Sequence, residues 1–377
     1  MIPVSEPVVG AREMELVTDC LRTGWISSAG RYIELFERQW AGYCGRRFGI
    51  AVCNGTAALR AAVGALNIGH GDEVIVPTFT IVSCAKAVIE VGATPVWVDA
   101  DPQTWTLDVS QVAQHITPRT KAIMPVHIYG HPVDMDPLMD FARREGIAII
   151  EDAAEAHGAE YMTQRGTSSA AWKRCGSFGE VSTFSFYANK LITTGEGGMV
   201  LTDDPAIADR LRSLRNLCFQ SKRRFVHEEL GDNLRMTNIQ AALGVAQLER
   251  MTDIVARKRV IGRKYTESLR GVSGLQLPVE REWARNVYWM YGVVVDEQTG
   301  MTGADLAASL HQRGVETRPF FWGMHEQPVM RKLALDELHT HPVATRLARQ
   351  GVYLPSGVGL SDGALQQVCA AVKEVMS

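Results

Sequence analysis

The chain has 377 residues, enough for a large core and for two lobes. A hydrophobic share of 46% suits a soluble globular protein, and 39 basic against 42 acidic residues leave a net charge of −3, so no global field draws the chain to nucleic acid or an anionic membrane. No apolar run approaches a bilayer span, "MIPVSEPVVGAREMEL" lacks the pattern of a signal peptide, and seven scattered cysteines with no C-x-x-C pair fit neither a disulfide framework nor a zinc site. A reduced, cytoplasmic protein without a metal centre is expected.

In chain order, "RYIELFERQWAGYC" places Ile33, Phe36, Trp40 and Tyr43 on one helix face, as core residues. From about residue 46, short β-branched runs ("FGIAVC", "DEVIVP", "TPVWVD", "KAIMPV", "IAIIED") alternate with stretches of helical spacing ("TAALRAAVGAL", "IVSCAKAVIEVG", "VSQVAQHI", "DPLMDFARREG"). Such alternation predicts an α/β fold with a mainly parallel sheet covered on both faces. In such sheets ligands bind at the carboxyl ends of the strands. The polar stretch within "YMTQRGTSSAAWKRCGSFG" reads as an exposed loop over 161–175. Past residue 235, "TNIQAALGVAQLERMTDIVARKRVIGRKYTESL" reads as one long helical pattern, and "NVYWMYGVVV" opens an α+β segment ending in the amphipathic "DGALQQVCAAVKEVM". The expected division is a large domain over 1–250, with an N-terminal helical segment, and a smaller α+β domain over 251–377.

Three stretches carry candidate chemistry. In "CNGTAALRAAVGAL" a strand turns through Asn54, Gly55 and Thr56 straight into a helix, whose free N–H groups and positive dipole end suit a phosphate; a plain N-cap fits the same residues. Asp152 ends the apolar strand of "IAIIEDAAEAHGA", where a buried carboxylate needs a partner such as a protonated pyridine nitrogen, or caps the next helix; Glu155 and His157 could line the same crevice. In "STFSFYANKLITTGEGGMV", Lys190 follows a half-buried strand by a short turn, close to Ser185, a second candidate phosphate donor. A lysine among apolar neighbours titrates low and can condense with an aldehyde. A phosphate cradle, a carboxylate and a nucleophilic lysine 38 positions later form the set that pyridoxal 5′-phosphate requires.

These motifs, with "GWISSAGRYIELFE", "GDEVIVPTFT", "ITPRTKAIMPVHIYGHPVDMDP", "NLRMTNIQAALGVAQLER", "ETRPFF" and "YLPSG", are similar to those of the DegT/DnrJ/EryC1/StrS family of sugar-nucleotide aminotransferases, over almost the entire chain. The resemblance implies the aspartate aminotransferase-like fold (fold type I), pyridoxal 5′-phosphate as cofactor, and transfer of an amino group from L-glutamate to a nucleotide-linked 4-keto-6-deoxyhexose. It implies that Lys190 holds the cofactor covalently and later moves the proton, that Asp152 keeps the ring nitrogen protonated, and that Glu155 meets the ring oxygen. Gly55, Thr56 and Ser185 would hold the phosphate, and Asn233 in "DNLRMT" would reach the phosphate in the other subunit of a homodimer. Trp25 and Ser27 in "WISSAG", with His131, Arg318 and His325, would contact the substrate.

The chain departs from the pattern in three places. Ile81 stands where an aromatic residue usually stacks on the ring, His131 stands where the members it most resembles tend to have glutamine, and the 161–175 stretch is longer than expected. Dehydratases of the same fold carry histidine in place of the lysine, so Lys190 argues against that activity. A 3-keto-sugar or cyclitol aminotransferase, and a sensor that binds an aminosugar without turnover, share the same motifs.

Overall fold

Residues 1–220, 222–335 and 340–377 are described by a computed structural model of the chain. Two amphipathic helices, α1 (Ala11–Thr23) and α2 (Arg31–Cys44), come first, and α2 buries Ile33, Phe36 and Trp40 as their spacing predicts. Then follow β1 (Phe48–Val52), α3 (Gly55–Ala65), β2 (Glu73–Pro77), α4 (Val82–Glu90), β3 (Thr94–Val98), β4 (Thr120–Ile123), α5 (Met135–Glu145) and β5 (Ala148–Asp152). After a hairpin of β6 (Glu160–Thr163) and β7 (Ala171–Arg174), strands β8 (Val181–Ser185) and β9 (Gly198–Thr202) enter the main sheet. Its order is β1-β9-β8-β5-β4-β2-β3. All five apolar runs seen in the sequence are strands of it. β9 runs antiparallel to both neighbours, whereas the β8–β5, β5–β4, β4–β2 and β2–β3 pairings are parallel. The carboxyl ends of β1, β5 and β8 therefore lie along one edge.

The stretch expected as an exposed loop over 161–175 is instead the β6–β7 hairpin, with only 164–170 as connection. Thr167, Ser168 and Ser169 sit in that connection, while Tyr161 alternates inward, is fully buried, and donates from its hydroxyl to Asp134 (2.6 Å). Trp172 meets the Arg285 guanidinium at 4.0 Å, and β11 (Ala284–Arg285) completes a three-stranded sheet with the hairpin.

Helix α6 (Pro205–Arg215) precedes the long helical pattern, which is two helices, α7 (Asn238–Glu249) and α8 (Met251–Leu269), broken at Arg250 (φ −105°, ψ 9°). α7 is apolar on most sides because it is wedged against the N-terminal helices. A Cβ on Gly244 would stand 2.7 Å from the Phe36 ring, and the Asn238 side chain accepts from Tyr32 N (3.0 Å) and donates to Trp25 O (2.7 Å). The remaining elements are β10 (Leu275–Gln276), β11, β12 (Tyr291–Val295), α9 (Gly303–Gln312), β13 (Arg318–Pro319), α10 (Pro328–Lys332), α11 (Pro342–Gln350), β14 (Gly351–Leu354) and α12 (Asp362–Met376). A second sheet, β10-β12-β14-β13, shares with α8, α9 and α12 a core of its own that includes Tyr265, Leu306, Leu310 and Val368. The first residues join this unit: Ile2 N donates to Gly314 O (2.7 Å) and Glu316 N to Ile2 O (3.0 Å). Among the described residues no helix is long and apolar enough to cross a membrane.

Among the described residues one lysine in this region has no carboxylate partner. Lys258 of α8 is 2% exposed, and its Nζ donates to the carbonyls of Trp289 (3.0 Å) and Ser356. Burial pushes its pKa down to about 7. Between pH 7 and 8 the unfolded chain holds this proton more tightly than the folded one, so the Lys258 contribution to stability rises with pH, by up to about 1.4 kcal/mol per unit. Urea unfolding of the parent and of Lys258→Met at several pH values should differ in slope by this sense; parallel pH dependences would show that Lys258 stays fully protonated.

Candidate active site

The strand edge shared by β1, β5 and β8 opens into a cavity of about 420 Å³. At the end of β1, Asn54 caps α3 by accepting from Ala57 N (2.8 Å), which leaves the first N–H groups of the helix facing the cavity. The N-cap reading holds for Asn54, while Gly55 and Thr56 line the cavity. A Cβ on Gly55 would lie 2.7 Å from Ser185 Cβ, so only glycine lets α3 approach the end of β8 this closely. Thr56 Oγ1 and Ser83 Oγ are 2.8 Å apart, and with Ser185 they add hydroxyls to the helix N-terminus. Helix dipole, free N–H groups and three hydroxyls are a donor set for a phosphate.

Asp152 closes β5 and is 2% exposed. It caps no helix: residues 153–159 form turns, Oδ1 accepts from Ala154 N (3.0 Å), and Oδ2 accepts from the Cys84 thiol (3.2 Å). Burial raises its pKa. Glu155 accepts from Tyr129 N (2.8 Å), and burial pushes its carboxyl up to about 7 even though the Lys190 amine lies 3.6 Å away. Tyr129 takes up a left-handed conformation (φ 54°, ψ 14°), which aims its N–H at Glu155.

Lys190 stands where a closed loop returns the chain from β8 to β9. Phe186 N donates to Gly197 O and Thr194 N to Phe186 O, while Thr193 Oγ1 donates to Phe186 O (3.0 Å) and accepts from Gly195 N (2.9 Å). Gly195 has φ 79°, which explains one glycine of the turn. The loop presents Lys190 with its side chain 11% exposed and Nζ 3.7 Å from the Trp289 ring centroid. Burial lowers its pKa, opposed by Glu155 and Asp152. This is no surface-loop lysine. Ile81, 40% exposed, also lines the cavity, as do the aromatic residues Tyr187, Trp289, Phe321 and Tyr353.

Gly55, Thr56, Ile81, Asp152, Glu155, Ser185 and Lys190 are thus brought together. Other residues singled out in the sequence lie outside the cavity of this chain. His157 is fully buried behind it, among Trp40, Phe184 and Phe186. His131 is 3% exposed, its Nδ1 donating to Pro132 O (2.7 Å) and its Nε2 accepting from Arg281 N (3.3 Å). His325 bonds Thr78 (2.7 Å) and Thr345 (3.1 Å) through its two nitrogens. Arg318 pairs with Glu316 at 2.5 Å on the outer strand β13. Trp25 and Ser27 are exposed at the turn before α2, where Ser27 O accepts from Asn238 N (2.7 Å), and Asn233 is exposed in the segment before α7.

Sequence reasoning missed Trp289, Phe321, Tyr353 and Cys84. Trp289 belongs to a stretch whose pattern is that of a core strand, while Phe321 and Tyr353 stand in the quoted motifs "ETRPFF" and "YLPSG", which by themselves give neither residue a role. Cys84 sits inside α4, one turn after Thr80, which a helical projection from "PTFT" reaches.

Comparison with known proteins gives the family. Residues 7–373 match the model of the DegT/DnrJ/EryC1/StrS aminotransferase family. GDP-perosamine synthase of Caulobacter vibrioides is 44% identical over 376 residues, covering 100% of this chain and 98% of the relative; that of Escherichia coli O157:H7 is 40% identical, covering 100% and 99%. Among solved structures, Streptomyces venezuelae DesV in complex with a ketimine intermediate superposes with a TM-score of 0.88 at 36% identity, covering 97% of this chain and 94% of that one. With a family match over nearly its whole length and relatives of this identity, the chain belongs to the DegT/DnrJ/EryC1/StrS aminotransferase family.

Proposed function

We propose that this chain is a pyridoxal 5′-phosphate-dependent aminotransferase that carries the amino group of L-glutamate to the C4 keto carbon of GDP-4-keto-6-deoxymannose, as a GDP-perosamine synthase. The observation that carries the reading is the meeting, in one cavity, of an α3 N-terminus ringed by hydroxyls, a buried Asp152 and a buried Lys190. The choice of sugar is supported by relatives of 38–44% identity that bear that name.

The residues fit the cofactor at each end. Gly55 and Thr56, with Ser185, would take its phosphate, and Asp152, already low in hydration, would hold the proton on its ring nitrogen. Pyridoxal 5′-phosphate, when bound, supplies an aldehyde carbon for amines and a cationic ring that withdraws electrons. Lys190 Nζ would react at that aldehyde, and once released would take the proton from the α-carbon of glutamate. It would later deliver a proton to the sugar carbon that receives nitrogen. Glutamate leaves as 2-oxoglutarate and the ketosugar leaves as its 4-amino derivative, so nitrogen and oxygen exchange one for one. Glu155 would orient the ring from its oxygen side, and Ile81 would cover one ring face by apolar contact alone.

Three outcomes test the reading. Borohydride should fix the cofactor mass onto the peptide holding Lys190; glutamate should bleach the yellow absorbance, and GDP-4-keto-6-deoxymannose, out of a panel of ketosugar nucleotides, should restore it. Lys190→Ala should retain cofactor but lose at least ~10²–10⁴-fold in turnover, the worth of a positioned acid–base group; parental rates in that variant would sink the reading. Ile81→Tyr should bind cofactor as tightly or better, since stacking adds about 0.5–1.5 kcal/mol, and equilibrium dialysis decides it. Asn233 lies outside its own chain's cavity, which supports a role in the second subunit's phosphate site. Mixing Lys190→Ala with Asn233→Ala subunits should then restore one intact site per heterodimer, and a mixture as inactive as its parents would place Asn233 elsewhere.

A further inference from the structure

Trp289 is held from three sides. Its carbonyl accepts from the buried Lys258 amine (3.0 Å), its indole N–H donates to Asn189 O (2.8 Å), and its ring faces Lys190 Nζ at 3.7 Å. The backbone around it is tight. Tyr288 has φ 49°, uncommon for an aromatic residue, and a Cβ on Gly130 would come within 2.9 Å of Trp289 N. Asn189 directly precedes Lys190, so the indole N–H fixes the lysine's own backbone while the ring fixes the end of its side chain.

We propose that Trp289 is a positioning residue for Lys190: its ring holds the protonated amine against Glu155 whenever the amine is free, and Lys258 anchors the ring. The physical basis is selective. The negative face of an indole attracts an ammonium and not a neutral amine. The charged form is therefore kept at a defined place as a proton donor, and loss of the proton releases the amine to act as nucleophile. The groups facing Nζ are few. Glu155 lies 3.6 Å away, Asp152 acts from the cavity wall with the Cys84 thiol bonded to it, and His157, held down to about 3 by burial, is neutral behind it. Both carboxylates favour the ammonium, and the Trp289 ring at 3.7 Å adds a second attraction at the same amine. Two contacts restrict the four rotatable bonds of the side chain more than Glu155 alone would.

The inference rests on Lys190 being the reacting amine, and its test needs no cofactor. Tryptophans bearing one, two and three fluorines, placed at position 289 by site-specific incorporation, keep shape and N–H while weakening the ring's negative face. Acetic anhydride labelling of the cofactor-free full chain, read by mass spectrometry at Lys190 across pH 6–10, gives the midpoint of the amine. The midpoint should fall stepwise with fluorination, by about half a unit to one unit at three fluorines. Lys258→Met should lower it too, because the anchor is gone, whereas a merely structural lysine would change the melting temperature and leave the midpoint where it was. A midpoint constant across the fluorinated series overturns the role of Trp289, and one unmoved in folded Lys258→Met overturns that of Lys258. Failure of borohydride to attach cofactor at Lys190 would instead remove the aminotransferase reading and leave a measured shift intact.

Discussion

Charge balance among the buried groups of the cavity is the constraint on which the site depends. Asp152 and Glu155 bring two carboxylates into it, and Lys190 brings one amine. Burial acts against all three charges, raising both acids and lowering the lysine, while their mutual attraction acts for them. A set with two acids and one base is short of one positive charge. In the proposed reading a protonated pyridine nitrogen against Asp152 supplies it, and the phosphate at the other end finds the positive end of α3. The cavity is therefore complementary to a dipolar ligand with cation and dianion at opposite ends.

The scaffold keeps these charges in place by close approach rather than by long side chains. Gly55 lets α3 meet Ser185, and Gly198, whose Cβ would stand 2.3 Å from Asn54 O, lets β9 pass beneath the same turn. β5 is braced from behind by a second buried carboxylate. Glu151 accepts from Gly176 N (2.6 Å), Phe178 N (2.8 Å) and His127 Nε2 (2.8 Å), and His127 Nδ1 accepts from Val133 N (3.0 Å). Because Nδ1 accepts from Val133 N, the ring donates to Glu151 through Nε2. Such a saturated network makes the strand end that carries Asp152 rigid.

How much of this was legible in the sequence depends on the range of the contacts. The five strands and the Gly55, Asp152 and Lys190 positions are written in local patterns: apolar runs ending in a turn, a carboxylate at a strand end, a lysine before glycines. The 161–175 hairpin was not legible, because its polar connection outweighs two four-residue strands that gain their pairing partly from β11, more than a hundred positions later. The break at Arg250 was hidden because apolar periodicity continues through it. Trp289, Phe321 and Tyr353 reach the cavity only through long-range folding. His131 and His325 stand in motifs that resemble a family's substrate loops, yet their nitrogens are used up by neighbours inside the chain.

The aromatic side of the cavity ties the site to the second core. Tyr353 comes from β14, and Trp289 sits two residues before β12, strands whose inner faces pack with α8, α9 and α12. Lys258 of α8 bonds both Trp289 O and Ser356 O, joining the approaches to β12 and β14 through one buried amine. A buried lysine whose partners among the described residues are carbonyls is a costly link, since a neutral side chain of equal length would need no desolvation of charge. What such a link provides is geometry: two strand ends fixed to one helix at the depth where aromatic rings meet the lysine. Loosening of the second core has a direct route to Lys190 through this amine, Trp289 and the Asn189 carbonyl, whereas Asp152 and Ser185 end strands of the main sheet.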